Sequence, residues 1–75
     1  MLEQLTDIIL DYVEVEPEDV KAESEFANDL GFNSYDFTCM ISAVEDAADV
    51  KIEETELLKI FKVSDLIELI EAKKN

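Results

Sequence analysis

The amino-acid sequence predicts an all-α fold, a bundle of four helices with a long first loop and a short third helix. Apolar residues recur with the 3.6-residue period of a helix, and the alternation typical of strands is not seen. The 75 residues include one Gly and one Pro, so helical segments meet few breaks. A chain of this length buries only about 60% of its unfolded surface and holds one core. We therefore expect a single domain over residues 1–75.

The first helix is predicted over residues 2–14, and a long loop follows it. Pro17 marks the turn after the helix. Apolar residues are sparse over residues 15–33, so we expect an ordered loop held by a few hydrophobic anchors. Gly31 can adopt backbone angles that other residues resist. The apolar helix face consists of Leu2, Leu5, Ile8, Ile9, Tyr12 and Val13, and the loop anchors are Val20, Ala22, Phe26, Leu30 and Phe32.

The second helix has the clearest start signal, at Asn33 and Ser34. Asn is a favoured N-cap residue, and Asp36, three residues later, can return a side-chain bond in the manner of a capping box. One continuous apolar stripe predicts that this helix runs to about Asp49. The stripe consists of Phe37, Met40, Ile41, Val44 and Ala48.

Two further helices are predicted in the last third of the chain. Ile52 anchors a turn, a short helix follows over residues 54–60, and the last helix begins near Ser64. Lys73 and Lys74 lie at its carboxyl end, where cations interact favourably with the helix dipole. The inward residues are Leu57, Leu58, Ile60 and Phe61 in the short helix, and Val63, Leu66, Ile67 and Ile70 in the last helix.

The composition argues against several classes of function. Twenty acidic residues oppose six Lys, and the net charge of −14 disfavours nucleic-acid partners and favours proteins with basic surfaces. We find no basic leader and no apolar run that could span a membrane, so we expect a cytoplasmic chain that starts at Met1 and does not insert into membranes. The sequence has no His, which excludes His-based metal sites and Ser-His-Asp chemistry, and we expect no metal.

Residues 29–36, Asp-Leu-Gly-Phe-Asn-Ser-Tyr-Asp, resemble the acyl carrier protein signature, usually written D-L-G-x-D-S-L-D. The resemblance covers nearly the whole chain. Phe26 precedes the motif in a long acidic loop, Ile52 anchors the turn after the next helix, and residues 63–66, Val-Ser-Asp-Leu, look like the V-x-D-L that opens the family's last helix. The resemblance implies a four-helix bundle of the acyl carrier type in which Ser34 bears a 4'-phosphopantetheine arm.

The surroundings of Ser34 favour the display of an arm over catalysis. A Ser just inside a helix N-terminus projects its hydroxyl into solvent beside unpaired N–H groups, which would stabilise an attached phosphodiester. Without a His, or a Lys close in sequence, nothing activates the hydroxyl as a nucleophile. The resemblance therefore implies a non-enzymatic carrier that a phosphopantetheinyl transferase modifies and that acyl-loading and acyl-transfer enzymes engage through basic docking patches.

Three residues near Ser34 depart from the family pattern. Asn33 replaces an Asp and removes a charge, while Tyr35 replaces a Leu and can still pack into an apolar pocket of a partner. Cys39 stands where the family commonly has a Glu. It is either a half-buried residue without a redox role or an exposed thiol beside the arm.

Acidic residues on the second helix match positions that the family presents to basic patches. They either dock partners, since rim charges set encounter rate and specificity, or form an ordinary solvated helix face. With the three departures, they complete the candidate partner-binding set: Asn33, Tyr35, Asp36, Cys39, Glu45, Asp46 and Asp49.

The cargo stays open at this stage. The leading hypothesis is an acyl carrier, normally a monomer, in fatty-acid synthesis or a specialised acyl pathway. The alternatives are a D-alanyl or peptidyl carrier and an unmodified helical interaction module. The resemblance also implies an acyl cavity, which the Phe residues could fill and which Ala47 and Ala48 could widen. The alternative is that all the candidate lining residues form an ordinary close-packed core. Its candidate lining is Phe26, Phe32, Phe37, Met40, Val44, Ile52, Ile60 and Phe61.

Overall fold

The computed structural model describes residues 2–74, and these residues form four α-helices joined by irregular segments. The long loop after the first helix contains one short 3-10 helix. The predicted all-α fold, with its long first loop and short third helix, is confirmed. The α-helices are α1 (Leu2–Ile9), α2 (Ser34–Ala48), α3 (Glu54–Leu57) and α4 (Val63–Lys74), and the 3-10 helix covers Pro17–Asp19.

The helices and the first loop share one hydrophobic core. α1 packs against α2, and the most deeply buried side chains come from α1, α2 and α4. The predicted stripe of α2 is confirmed, because its central residues are buried while Phe37 and Ala48 are half-buried at its edges. The fully buried large side chains are Leu5, Ile9, Met40, Val63, Leu66 and Ile70.

The first helix is shorter than the apolar pattern predicts, because α1 ends at Ile9 rather than near residue 14. Beyond it the N–H of Asp11 donates to the carbonyl of Ile8, and the N–H of Tyr12 donates to that of Ile9. These three-residue bonds tighten the chain into 3-10 turns. Tyr12 and Val13 are still half-buried, so the apolar pattern continues past the end of the helix and conceals it.

The first loop is fixed by hydrophobic anchors and by backbone hydrogen bonds to the segment before α4. Four of the five predicted anchors, Val20, Phe26, Leu30 and Phe32, are buried. Ala22 is the exception, since its side chain is exposed and only its carbonyl is used. Such bonds satisfy loop groups that burial would otherwise leave unpaired. They run from the N–H groups of Phe26, Val63 and Ser64 to the carbonyls of Phe61, Ser24 and Ala22, over 3.0, 2.9 and 2.8 Å respectively.

Gly31 turns the loop into α2. Its φ angle is +78°, in the left-handed region that favours glycine, as its place in the sequence predicted. Immediately after it, the N–H of Phe32 donates to the carbonyl of Phe26 over 2.9 Å. The turn therefore brings two aromatic residues together just before α2 begins.

The third helix is also shorter than predicted and ends at Leu57. The prediction that Leu58 and Phe61 face the core is wrong, because their side chains are 77% and 66% exposed, whereas Ile60 is buried. Beyond Leu57 the backbone is no longer helical, so the apolar spacing no longer places these side chains on the core face. The backbone of Phe61 is then held by the first loop, since its carbonyl accepts the N–H of Phe26, and its ring remains at the surface.

The last helix contacts α3 and the carboxyl end of α2 through two lysines near its own end. α4 begins at Val63, which agrees with a predicted start near Ser64. Near its end, the Nζ of Lys73 lies 2.9 Å from the Oε1 of Glu56 in α3. The Nζ of Lys74 donates to the carbonyl of Ala48 over 2.6 Å, at the end of α2, where a cation is favourable.

Replacing Ser24 with Ala should destabilise the first loop. Ser24 is 6% exposed, its hydroxyl donates to the carbonyl of Asp19 over 2.9 Å, and it accepts the N–H of Lys21 over 3.0 Å. Losing these bonds costs about 1 kcal/mol of unfolding free energy, or about 4–8 °C in Tm. Circular dichroism during heating measures the change. Ser42→Ala, at an exposed α2 position, is the control, and equal Tm values for the two variants would contradict the assigned role.

Asp65 should contribute stability that is lost in acid. Its Oδ2 accepts the N–H groups of Lys62 (2.9 Å) and Phe61 (3.0 Å) at the start of α4. These bonds lower the pKa of Asp65, with burial acting weakly in the opposite direction. Because the pKa is lower in the folded state, the stabilisation is present above the unfolded value of about 3.9 and is lost as pH falls through the folded pKa.

Asp65→Ala should therefore lower the Tm at pH 7, and the difference from the parent chain should close as pH falls below about 4. Thermal unfolding at a series of pH values checks both parts. Glu68→Ala, one exposed charge further along α4, controls for the change in net charge. A Tm difference that persists unchanged at pH 2 would show that the carboxylate is not the source of the stabilisation.

Candidate functional site

Ser34 is the first residue of α2, and its side chain is exposed. Asn33 is the N-cap residue, with φ −93° and ψ 174°, and its Oδ1 accepts the N–H of Asp36 over 2.7 Å. The predicted N-cap is confirmed. The return bond from Asp36 is not formed, and the Asp side chain is one methylene shorter than the Glu or Gln usual in a capping box.

The hydroxyl of Ser34 has no hydrogen-bond partner within residues 2–74, although its carbonyl accepts the hydroxyl of Thr38 over 2.9 Å. The first turn of α2 adds free donors beside it, because the N–H groups of Ser34 and Tyr35 precede the first helical bond, from Phe37 to Asn33. An anionic ester on this hydroxyl would face both N–H groups and the positive end of the helix dipole.

Three phenylalanine rings lie against the start of α2. The rings of Phe26 and Phe37 have centroids 5.3 Å apart, those of Phe26 and Phe32 are 5.7 Å apart, and those of Phe32 and Phe37 are 6.4 Å apart. All three pairs meet edge to face, the arrangement that aromatic quadrupoles favour. Phe26 and Phe32 are buried, and Phe37 is half-buried. We call these residues the aromatic cluster.

A surface pocket of about 250 Å³ lies between Ser34, the aromatic cluster and the segment before α4. Five of the predicted cavity residues line it, namely the cluster with Ile60 and Phe61. Met40 and Ile52 do not. The complete lining is Glu25, Phe26, Ala27, Asn28, Phe32, Asn33, Ser34, Phe37, Ile60 and Phe61.

The candidate lining residues therefore do not share one pocket. Val44 lines a second pocket of about 140 Å³, together with Ala47 and Ala48. The two alanines do open space, as expected, but they do so beside α1 and away from Ser34.

Glu45 and Asp49 make hydrogen bonds that stabilise the carboxyl end of α2. The Oε2 of Glu45 accepts the N–H of Ile52 over 2.8 Å, which leaves Glu45 half-buried. Asp49 adopts the left-handed conformation, with φ 55°, and its N–H donates to the carbonyl of Glu45. Asp is one of the residues that tolerate this conformation. Asp46 is exposed with no such structural bond, so it is the clearest candidate for a purely electrostatic role.

The remaining candidate residues differ in accessibility. Tyr35 is 76% exposed next to Ser34, whereas Asp36 is half-buried. Cys39 is half-buried, the degree of burial that the first of the two interpretations expects, and its lack of a redox role stays a prediction. Its carbonyl accepts the hydroxyl of Tyr12 over 3.4 Å, so this part of α2 faces the turn after α1.

Sequence reasoning missed three residues that line the pocket, Glu25, Ala27 and Asn28. The Nδ2 of Asn28 donates to the Oε1 of Glu25 over 2.6 Å. All three lie in the first loop, where no helical period indicates which side chains share a face. The bond of Phe26 to Phe61, over 3.0 Å, brings this part of the loop to the pocket, and no local signal announces that bond.

Within residues 2–74, no helix is long and apolar enough to cross a membrane, and no group of three or more acidic, Cys or His residues is arranged to hold a metal ion.

Comparisons with known proteins agree with this geometry. A family model described as "phosphopantetheine attachment site" matches residues 3–70. The acyl carrier protein of Nitratidesulfovibrio vulgaris (Miyazaki F) is 39% identical over 71 residues, which cover 95% of this chain and 93% of that protein. The acyl carrier protein of Wolinella succinogenes is 32% identical over 74 residues, 99% of this chain and 97% of that protein.

The acyl carrier protein of Syntrophus aciditrophicus is 37% identical over 71 residues, which cover 95% of this chain and 89% of that protein. Each match therefore extends over nearly the full length of this chain and of the relative, and it is not confined to the motif around Ser34. The chain belongs to the acyl carrier protein family, whose members are carriers rather than enzymes and bear a 4'-phosphopantetheine group.

Proposed function

We propose that this chain carries acyl groups as thioesters on a 4'-phosphopantetheine arm attached to Ser34. The observation that carries the proposal is the exposed hydroxyl of Ser34 at the first position of α2, which has no hydrogen-bond partner among residues 2–74. A hydroxyl there is accessible to a modifying enzyme. It also adjoins the positive end of a helix of 15 residues, long enough for its dipole to favour an attached phosphodiester.

The surrounding residues fit this group. The Oδ1 of Asn33 accepts the N–H of Asp36. Among residues 2–74, the N–H groups of Ser34 and Tyr35 are therefore left free to donate to phosphate oxygens. When bound, the group supplies a terminal thiol on which acyl groups form thioesters. The sequence has no His, and no Lys lies near Ser34 in the sequence to activate its hydroxyl, so we assign attachment of the arm and transfer of the acyl group to separate enzymes.

We place the chain in acyl metabolism, either in fatty-acid synthesis or in a specialised acyl pathway. The names of the relatives favour acyl cargo over D-alanyl or peptidyl cargo. Asn33, Tyr35 and Cys39 depart from the family pattern beside the attachment position, and these departures favour a specialised pathway. The proposed partners are a phosphopantetheinyl transferase and acyl-loading and acyl-transfer enzymes with basic patches that meet the acidic face of α2.

The attachment position can be tested by mass. The parent chain, incubated with coenzyme A and a broad-specificity phosphopantetheinyl transferase, should gain one phosphopantetheine by intact mass. Ser34→Ala should gain none, because the only proposed acceptor hydroxyl is removed. Ser42→Ala is the matched control, since it removes an exposed Ser from the same helix, and it should be modified like the parent.

Two results would sink this assignment. A mass gain on Ser34→Ala would place the arm on another residue. No gain on the parent, repeated with a transferase from the native host, would leave the unmodified helical interaction module as the surviving function.

The docking role of α2 predicts a charge effect at Asp46. Asp46→Lys should slow modification by the transferase about two- to fivefold at low salt, because an exposed acidic residue near the site steers encounter with a basic surface. The effect should shrink at high salt. Asp7→Lys makes the same charge change on the exposed face of α1 and should have a smaller effect. Equal slowing by both variants would assign the effect to net charge rather than to a docking surface.

A further inference from the structure

Two large apolar side chains are exposed in the segment between α3 and α4. Leu58 is 77% exposed and Phe61 is 66% exposed, and the exposed side chains of Lys59 and Lys62 alternate with them. We call these four residues the apolar-basic patch. Residues 1–50 contain fourteen acidic residues and one Lys, so the patch is a local positive surface on a chain of net charge −14. Exposed apolar residues that are grouped rather than scattered indicate an interaction surface.

The backbone of the patch is held in place by hydrogen bonds. The N–H of Phe61 donates to the Oδ2 of Asp65 over 3.0 Å, and its carbonyl accepts the N–H of Phe26 over 3.0 Å. The N–H of Lys59 donates to the carbonyl of Glu56 over 3.1 Å. The exposure of the patch therefore belongs to an ordered segment, and ordering it on contact with a partner costs little conformational entropy.

The two lysines of the patch make no ion pair within residues 2–74. The ion pair found there joins Lys73 to Glu56, and no carboxylate lies within 4 Å of the Nζ of Lys59 or Lys62. The acidic residues on either side of the patch in the sequence are already engaged, Glu56 by Lys73 and Asp65 by two backbone N–H groups. Both lysines are therefore available to carboxylates of a partner.

The patch adjoins the attachment position. Phe61 and Ser34 line the same pocket, and Ile60 lines both this pocket and a second groove that Lys59 lines. A typical protein–protein interface covers about 800 Å² on each partner, a region about 30 Å across. The folded chain measures only 30 × 22 × 20 Å. An enzyme of ordinary interface size that acts on Ser34 therefore also overlies the patch.

We propose that the phosphopantetheinyl transferase that modifies Ser34 contacts the apolar-basic patch with an apolar surface bearing carboxylates, beside the basic surface that meets α2. The proposal rests on attachment of the arm at Ser34. Leu58 and Phe61 supply apolar contact, and the two lysines repel an enzyme that is basic over its whole docking surface. The docking surface of the chain is then of mixed sign, which selects one orientation of the enzyme.

Reversing a charge of the patch tests this arrangement by the sign of the effect. Lys62→Glu makes the chain more acidic, so an enzyme with a uniformly basic docking surface would modify it faster. We expect instead that kcat/KM for modification by the transferase of the native host falls about three- to tenfold at low salt, because the new carboxylate then meets carboxylates of the enzyme. The fall should shrink at high salt.

Lys51→Glu is the matched control for this charge change. Lys51 is exposed beyond the end of α2, a helix of 15 residues that begins at Ser34, so it lies about 20 Å from the attachment position. Its kcat/KM should not fall. A Lys62→Glu variant that is modified as fast as the Lys51→Glu variant, or faster than the parent chain, would overturn the proposal.

Truncating the apolar side chains tests the other half of the contact. Phe61→Ser should raise KM about tenfold and leave kcat unchanged, because the ring contributes to binding and does not touch the reacting hydroxyl. Salt should not remove this effect. Leu58→Ser, which does not line the pocket, should also raise KM, and it serves if circular dichroism shows that Phe61→Ser is misfolded. Leu2→Ser, at an exposed apolar position of α1, should have the KM of the parent chain.

The outcomes separate the two proposals. A parent chain that gains no phosphopantetheine by mass contradicts the proposed function itself. A parent chain that is modified, while folded Phe61→Ser and Leu58→Ser variants keep its KM, contradicts the contact at the patch and leaves the carrier role intact.

Discussion

The backbone hydrogen bonds between the first loop and the segment before α4 are the constraint on which the rest of the site depends. The N–H of Phe26 donates to the carbonyl of Phe61, and the N–H of Val63 donates to that of Ser24. Phe26 and Phe61 lie outside the helices and Val63 is the first residue of α4, so these N–H groups have no intrahelical partner and would otherwise be left unpaired or exposed to water. This pairing holds Phe26 and Phe61 next to each other, and both residues line the pocket beside Ser34.

The same constraint explains an unusual surface. Phe61 has its backbone committed to the loop through its carbonyl and to Asp65 through its N–H. Its ring therefore stays 66% exposed at the edge of the pocket. Tyr35 is likewise exposed beside Ser34. In the proposed docking role, these two exposed rings supply apolar contact area and the acidic residues of α2 supply charge.

The start of α2 could be predicted because it depends on residues close in sequence. The side chain of Asn33 accepts the N–H of Asp36, three positions later, and Gly31 adopts the positive φ angle of the turn. The all-α class could be predicted from the apolar period for a similar reason.

The ends of α1 and α3 could not be predicted from the sequence. The apolar spacing continues through Tyr12 and Phe61, beyond the last helical hydrogen bonds of α1 and α3. Nor did any local pattern reveal that Asn28 reaches the pocket, because the loop is placed by bonds to residues more than thirty positions away.

The three rings of the aromatic cluster contribute to the stability of a small fold. An enclosed cavity costs about 24 cal/mol for each Å³ left empty, and a chain of this length has only a small core from which to offset that cost. The net charge of −14 adds repulsion that further narrows the margin. The edge-to-face packing of Phe26, Phe32 and Phe37 adds apolar contact to that core and so stabilises the chain. The pocket beside Ser34 lies at the surface, where water can occupy it.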